Sequence, residues 1–375
     1  MLEEFREQFN QRHQYSRDWK ARNNSQVIGY LCTYFPEEII YAAGILPVRL
    51  LGGHEPQDVA ERHIPTMYCP FSRDVLAQGL LGRYNYLDGL VDAFTCVHMR
   101  NVFGSWTLNI PLKYQYYLYT PVDVRNPRAK TYWAIQLSKF QKSLEEFTGH
   151  PISEAALDSA IDIYNRNRRL LRKIYEMRKA EIPPVTGAEC MEMVVSSQVM
   201  DKKEHNQLLD EALAELQDRK LNRQTGVRLM LVGSENDDTE FVRMIESLGA
   251  TVVIDDHCTG SRYFWNEAVP DKDRLLAIAS RYMDRPPCPQ KDVEDTRFRF
   301  QHIKQLARDY NVQGVILVQQ KFCTPHELDI PELKTFLQED MNIPSLFLEV
   351  DVTIPLGQFR TRVEAFLEML QLQLV

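Results

Sequence analysis

Seven cysteines carry most of the chemistry this 375-residue chain can offer: Cys32, Cys69, Cys96, Cys190, Cys258, Cys288 and Cys323. Thiolates are soft ligands, suited to zinc, copper(I) and iron–sulfur clusters. No CxxC pair is present, so neither a zinc ribbon nor a ferredoxin-type loop is encoded locally. Any metal site has to be assembled by the fold. The odd number and wide scatter fit no disulfide framework, and reduced thiols are expected. In MYCPFSRD, Cys69 stands beside Pro70 in a turn that opens a helix, where free N–H groups stabilise a thiolate. Cys96 comes after GLVDAFT, Cys258 after TVVIDD and Cys323 after GVILVQQKF. Each of those runs reads as a strand, and open α/β sheets gather reactive groups just past strand carboxyl ends. For any one cysteine taken alone, a small buried core thiol is the competing reading.

The elements that must position these thiols alternate. Residues 27–51, VIGYLCTYFPEEIIYAAGILPVRLL, read as a strand, a turn at Pro36, an apolar helix closed by Gly44 and a second strand. A helix is expected over about residues 72–81, and YLDGLVDAFT supplies a helix end and a strand. From Arg128 to Leu221 the pattern is helical, broken at EIPPVTGAEC because two prolines cannot continue a helix. At Gly226 the register changes: VRLMLVGSENDDTEFVRMIESLGATVVIDD is strand, loop, helix, Gly249 stop and strand. GVILVQQKF and SLFLEVD add two buried strands around the helix ELKTFLQED. The expected fold class is therefore α/β, with two Rossmann-like or flavodoxin-like domains built on open parallel sheets. Residues 1–225 form the first, with a helical extension between the two, and residues 226–375 the second.

A formal net charge of −8 argues against a chain that coats nucleic acid or an anionic membrane, so neither is expected as a partner. No apolar run approaches the roughly 18 residues of a membrane span, and a cytoplasmic location is expected. There is no GxxxxGK(S/T) loop; GSEND, at the turn after a strand, reads as an ordinary helix cap.

Five segments taken together, GYLCTYFPEEIIYAAGILPVRL, YCPFSRDVLAQGL, TCVHMRN, VVIDDHCTGSRYF and KFCTPHELDIPELKTFLQEDMNIPSLFLEVD, resemble the 2-hydroxyacyl-CoA dehydratase and benzoyl-CoA reductase family. The resemblance runs across almost the whole chain. Within it, TCVHMRNVFGSW, KYQYYLYTPVDV and IYNRNRRLLRKIYEMRKA look most like the smaller active-site subunit of ATP-dependent benzoyl-CoA reductase. The resemblance implies one 4Fe-4S cluster in the interdomain cleft, held by Cys69, Cys96 and Cys323. It also implies a larger paralogous iron–sulfur subunit, an ATPase activator dimer carrying ATP and a further cluster, ferredoxin as upstream donor, and benzoyl-CoA as substrate. The implied reaction is ATP-coupled two-electron reduction of the ring to cyclohexa-1,5-diene-1-carbonyl-CoA, in anaerobic aromatic degradation. The small subunit of a 2-hydroxyacyl-CoA dehydratase is the alternative, and a non-catalytic assembly protein with buried thiols is the alternative of another class.

Around the three implied ligands, Ser72, Arg73, Cys258 and Arg262 are expected close to the cluster, where a guanidinium offsets its negative charge. Glu38, by resemblance, can supply a proton, although a carboxylate in a helix's first turn also serves the helix itself. His98 can donate to a cluster sulfur or be an ordinary loop histidine. The basic run Arg166, Arg168, Arg169, Arg172 and Lys173 suits CoA phosphates, a partner surface or a solvated helix face. The tyrosines of KYQYYLYT suit an acyl group, a subunit interface or core packing.

Overall fold

The computed structural model describes residues 2–56, 58–292 and 297–374. Its eight strands form two sheets of four, all parallel. The first holds β1 (Val27–Tyr30), β2 (Leu46–Arg49), β3 (Gly89–Ala93) and β4 (Tyr114–Leu118), in the order β2, β1, β3, β4. The second holds β5 (Val227–Gly233), β6 (Ala250–Asp256), β7 (Gly314–Gln320) and β8 (Ser345–Val350), in the order β6, β5, β7, β8. The same winding is thus used twice, which bears out the expected Rossmann-like or flavodoxin-like architecture. In each sheet the chain leaves its first strand to one side and later returns to the other. A crevice opens where the winding reverses, between β1 and β3 and between β5 and β7.

Parallel strands covered on both faces read as near-continuous apolar runs. All residues of β5, β6 and β7 are buried. Leu229, Leu231, Ile316 and Val318 face one core, while Met230, Val232, Val315 and Leu317 face the other. In the first sheet Ile28, Tyr30, Val91 and Ala93 point one way, and Val27 and Leu90 the other. Glycine is required at Gly233, the last residue of β5: a Cβ there would stand 1.8 Å from the Val318 carbonyl oxygen of β7. One strand lies outside the sequence-based expectation, because KYQYYLYT is β4, an edge strand whose Tyr114 and Leu118 enter the core. Aromatics spaced along a pleat are strand formers. After the two prolines the helical run restarts at Thr186, whose side chain forms a capping box with Glu189.

The two sheets are tied by exchanged chain. Leu2 and Phe5 of the first helix pack into a core of the second sheet, and Ala268, Ile278, Ala279, Tyr282 and Met283 pack into a core of the first. Two ion pairs link the loops. Arg73 in the helix Pro70–Leu80 meets Asp351 after β8 at 2.6 Å, and His54 after β2 meets Asp237 after β5 at 2.7 Å. Behind β1, Glu37 and Glu38 open the helix Glu37–Ala42 fully inside the protein. Glu38 pairs with Arg168 and accepts from the Tyr282 hydroxyl at 3.0 Å. Glu37 accepts from the Tyr263 hydroxyl at 3.0 Å and lies 3.7 Å from the Lys202 ammonium. Burial alone would raise the Glu38 pKa, but the Arg168 and Arg281 guanidiniums outweigh it and hold the carboxyl below its usual range.

Replacing Glu38→Gln strands the Arg168 cation in the interior, and a loss on the order of 3 kcal/mol is expected. Thermal or urea unfolding reads it, and an unchanged midpoint contradicts the pairing. The neighbouring Asp237 carboxylate raises the His54 pKa to about 10. The pair's contribution is then fully present below the unfolded value near pH 6.5 and fades as pH rises towards about 10. Because the His54 side chain is 39% exposed, that contribution is at most about 1 kcal/mol. The stability advantage of the wild type over Asp237→Asn is expected to shrink across this window; a difference that stays flat with pH excludes the clasp.

Candidate functional site

Six of the seven cysteines, Cys32, Cys69, Cys96, Cys258, Cys288 and Cys323, line one cavity of about 110 Å³ where the carboxyl ends of the two sheets face each other. Only Cys190 lies elsewhere, inside a core of the second sheet. Cys32 and Cys96 follow β1 and β3, the strands that flank the first crevice. Glu235 and Cys323 follow β5 and β7, which flank the second. Cys258 follows β6, and Cys288 precedes the short turn Pro289–Lys291. All seven are free thiols.

Cys69, Cys96 and Cys323 share a local design: each is the N-cap residue of a helix, respectively Pro70–Leu80, Val97–Asn109 and Thr324–Glu339. Unpaired N–H groups of a first helical turn favour negative charge on such a residue. Cys96 Sγ already accepts from the Met99 N–H at 3.4 Å. Cys69 Sγ stands 3.4 Å from the Ser72 hydroxyl, which itself donates to the Cys69 carbonyl at 2.7 Å. The Cys69 N–H donates to His98 Nδ1 at 3.3 Å, leaving the ring proton on Nε2, and the imidazole stacks on Tyr68. His98 therefore braces the Cys69 turn. Burial lowers its pKa, so it is neutral at physiological pH.

Burial pushes the Cys69, Cys96 and Cys323 thiols up, and neighbouring thiols push further: Cys69 acts on Cys96, and both act on Cys323. Three buried guanidiniums line the same cavity: Arg49, Arg262 and Arg285. Arg262 lies 3.5 Å from Asp256 and donates to the Gly233 carbonyl at 2.6 Å. Arg49 donates to Gln198 Oε1 at 2.6 Å, to the Cys258 carbonyl at 3.2 Å and to Cys258 Sγ at 3.4 Å. Arg285 donates to the Thr33 carbonyl at 2.7 Å and sits over the Tyr34 ring. Among the described residues, Nε of Arg49, Nε of Arg285 and Nη1 of Arg262 have no hydrogen-bond partner. Burial raises the Glu235 carboxyl, in the same cavity, well above the usual range.

Of the three guanidiniums, only Arg262 has an ion pair among the described residues, and a buried cation that no carboxylate pairs needs an anion. Thiols around the wall, helix N-termini behind three of them and guanidiniums between them suit an anionic, thiolate-ligated iron–sulfur group. Among the described residues no three of His, Cys, Asp and Glu close on a single ion. Thiols spread over the wall suit a polynuclear core, which presents its metal atoms at separate corners.

Other candidates fall at different places. Cys258 and Arg262 line the cavity, and Ser72 and His98 touch Cys69 from outside it. Arg73 is turned to Asp351 and the Tyr68 carbonyl. Glu38 is not in the lining and is held by Arg168. Of the basic run, Arg168 is buried, and with Arg169, Arg172 and Lys173 it borders a separate surface pocket of about 520 Å³. Arg49, Cys32, Glu235, Arg285 and Cys288 were missed. Cys32 met the same strand-end criterion as Cys96, whereas Cys288, in PPCPQ, carries no strand or helix signal.

The family model described as 2-hydroxyglutaryl-CoA dehydratase, D-component, matches residues 32–370, a span that includes all six cavity cysteines. The chain is 28% identical over 324 residues to one of the subunits of benzoyl-CoA reductase of Thauera aromatica, covering 85% of this chain and 84% of the relative. It is 26% identical over 358 residues to the (R)-phenyllactyl-CoA dehydratase beta subunit of Clostridium sporogenes, covering 93% of each. To the beta subunit of (R)-2-hydroxyglutaryl-CoA dehydratase of Acidaminococcus fermentans the identity is 28% over 363 residues, covering 94% of each. Among the described residues no helix is long and apolar enough to cross a membrane. A match over most of the chain, on a fold that gathers its thiols at two sheet ends, assigns the protein to the 2-hydroxyglutaryl-CoA dehydratase D-component family.

Proposed function

We propose that this chain is the iron–sulfur subunit of an enzyme acting on CoA thioesters, with one 4Fe-4S cluster held by Cys69, Cys96 and Cys323. The observation that carries the proposal is the meeting of these three helix-capping thiols with three buried guanidiniums in one cavity. When bound, such a cluster supplies low-potential electrons, and a metal corner without a thiolate offers a Lewis-acid position. The three thiols give up their protons on ligation. Helix N-termini and the cations Arg49, Arg262 and Arg285 then favour the added negative charge, which eases uptake of an electron. Ser72 and His98 fix the turn that aims Cys69, and Arg73 anchors the same helix to Asp351. Glu38 has no part in this scheme, because its charge is committed to Arg168.

The reaction we assign is that of benzoyl-CoA reductase: ferredoxin-dependent, ATP-coupled, two-electron reduction of the aromatic ring. The chain would act with a larger paralogous subunit and an ATPase dimer. The relative from a benzoyl-CoA reductase supports this reading. Relatives named as dehydratase beta subunits support the other, loss of water from a 2-hydroxyacyl-CoA. Electron balance separates the two, because ring reduction consumes electrons and dehydration returns them.

Anaerobically purified complex, given a low-potential reductant, ATP and either benzoyl-CoA or a 2-hydroxyacyl-CoA, is expected to consume electrons with the former. Water loss without net electron consumption selects the dehydratase. Each of Cys69→Ser, Cys96→Ser and Cys323→Ser is expected to lose cluster iron and at least about 100-fold of activity, by analogy with other disrupted metal sites. Absence of iron from the anoxic wild-type protein would leave only a non-catalytic assembly role.

A further inference from the structure

Three of the six cavity thiols are not used by that assignment. We propose that Cys32, Cys258 and Cys288 form a second set of iron ligands in the same cavity, which then houses more than one four-iron core. The inference deepens the iron–sulfur reading and rests on it.

These thiols come from three separate segments that line one cavity, and neighbouring contacts tie two of the segments together. Thr33, next to Cys32, accepts from Arg285 through its carbonyl at 2.7 Å. Tyr34, one residue on, lies under the Arg285 guanidinium and accepts from the Cys288 N–H at 3.3 Å. Cys32 and Cys288 are thereby fixed to the same small structure. Cys258 is reached by Arg49 through both its carbonyl and its sulfur. One spare thiol in a protein interior is ordinary. Three more of them, converging on a cavity that already holds three, while only Cys190 lies in a core, form a ligand set.

The surrounding charge points the same way. Arg49 and Arg285 have only neutral partners, and so does Lys291, which is buried beside Cys288 and donates to the carbonyls of Phe94 at 3.0 Å and Pro121 at 2.6 Å. Two sets of three thiolates bring more negative charge to these cations than one set does. Ligation needs no oxidant, since each thiol exchanges a proton for a bond to iron.

The full-length chain, purified anaerobically and loaded with ferrous iron and sulfide, tests this by its iron and acid-labile sulfide per chain and its Mössbauer spectrum. The wild type is expected to hold about eight irons, against about four for a single cubane. The combined Cys32→Ser, Cys258→Ser, Cys288→Ser variant is expected to fall about twofold, and Cys190→Ser to match the wild type. About four irons in the wild type, all retained by the triple variant, overturns the second ligand set and leaves the first intact. No iron in the wild type overturns both. If circular dichroism shows the triple variant misfolded, the wild-type count alone decides.

Discussion

Arg49, Arg262 and Arg285 bring three guanidiniums into one interior cavity, and among the described residues only Arg262 of the three is ion-paired, with Asp256. A buried ion left unpaired costs several kcal/mol. No ordinary core arranges such a cost without a return, so the cavity is built around something negative. The cavity's thiols are the donors at hand, and in the proposed cluster metal-bound thiolates would supply that charge where the cations need it. Protein without metal has the opposite problem, because thiols crowded in an apolar space resist ionisation. Cations and thiols are each unfavourable alone, and the proposed cluster would make them compatible.

The architecture explains how so many reactive groups meet. A parallel sheet sends its strand-end loops to one side, and reversal of the winding opens a crevice among them. Here the same strand order occurs twice, and the two crevices face one another. Helices that follow those loops begin at the cavity, which is why three of the cysteines are N-caps. The first sheet and its loops supply Cys32, Cys69 and Cys96; the part of the chain that carries the second supplies Cys258, Cys288 and Cys323. Exchange of packing elements between the cores, with Leu2 and Phe5 going one way and Tyr282 and Met283 the other, holds the two sides in register. The ion pairs of Arg73 with Asp351 and of His54 with Asp237 join loops of the two sheets.

Much of this was legible in the sequence for identifiable reasons. Apolar runs bounded by glycine gave seven of the eight strands, and strand-end position marked Cys96, Cys258 and Cys323. β4 was missed because its tyrosines read as a packing cluster, and edge strands lack the fully apolar signature. The cations escaped notice for a different reason. Arg49 ends a strand and Arg285 follows a helix, and nothing local tells such a residue from a surface arginine. Their meaning lies in partners 149 and 252 positions away, Gln198 and Thr33, which only the fold brings near. Glu38 shows the converse. Its place after Pro36 suggested chemistry, yet the helix turns it away from the cavity and onto Arg168.

Anomalous diffraction at the iron edge, from crystals grown and frozen without oxygen, tests the central claim most directly. The account predicts iron density inside the cavity, within bonding distance of Cys69, Cys96 and Cys323 and beside the Arg49 and Arg285 guanidiniums. A cavity free of iron in protein that retains its fold, or iron bound at some other place, contradicts it.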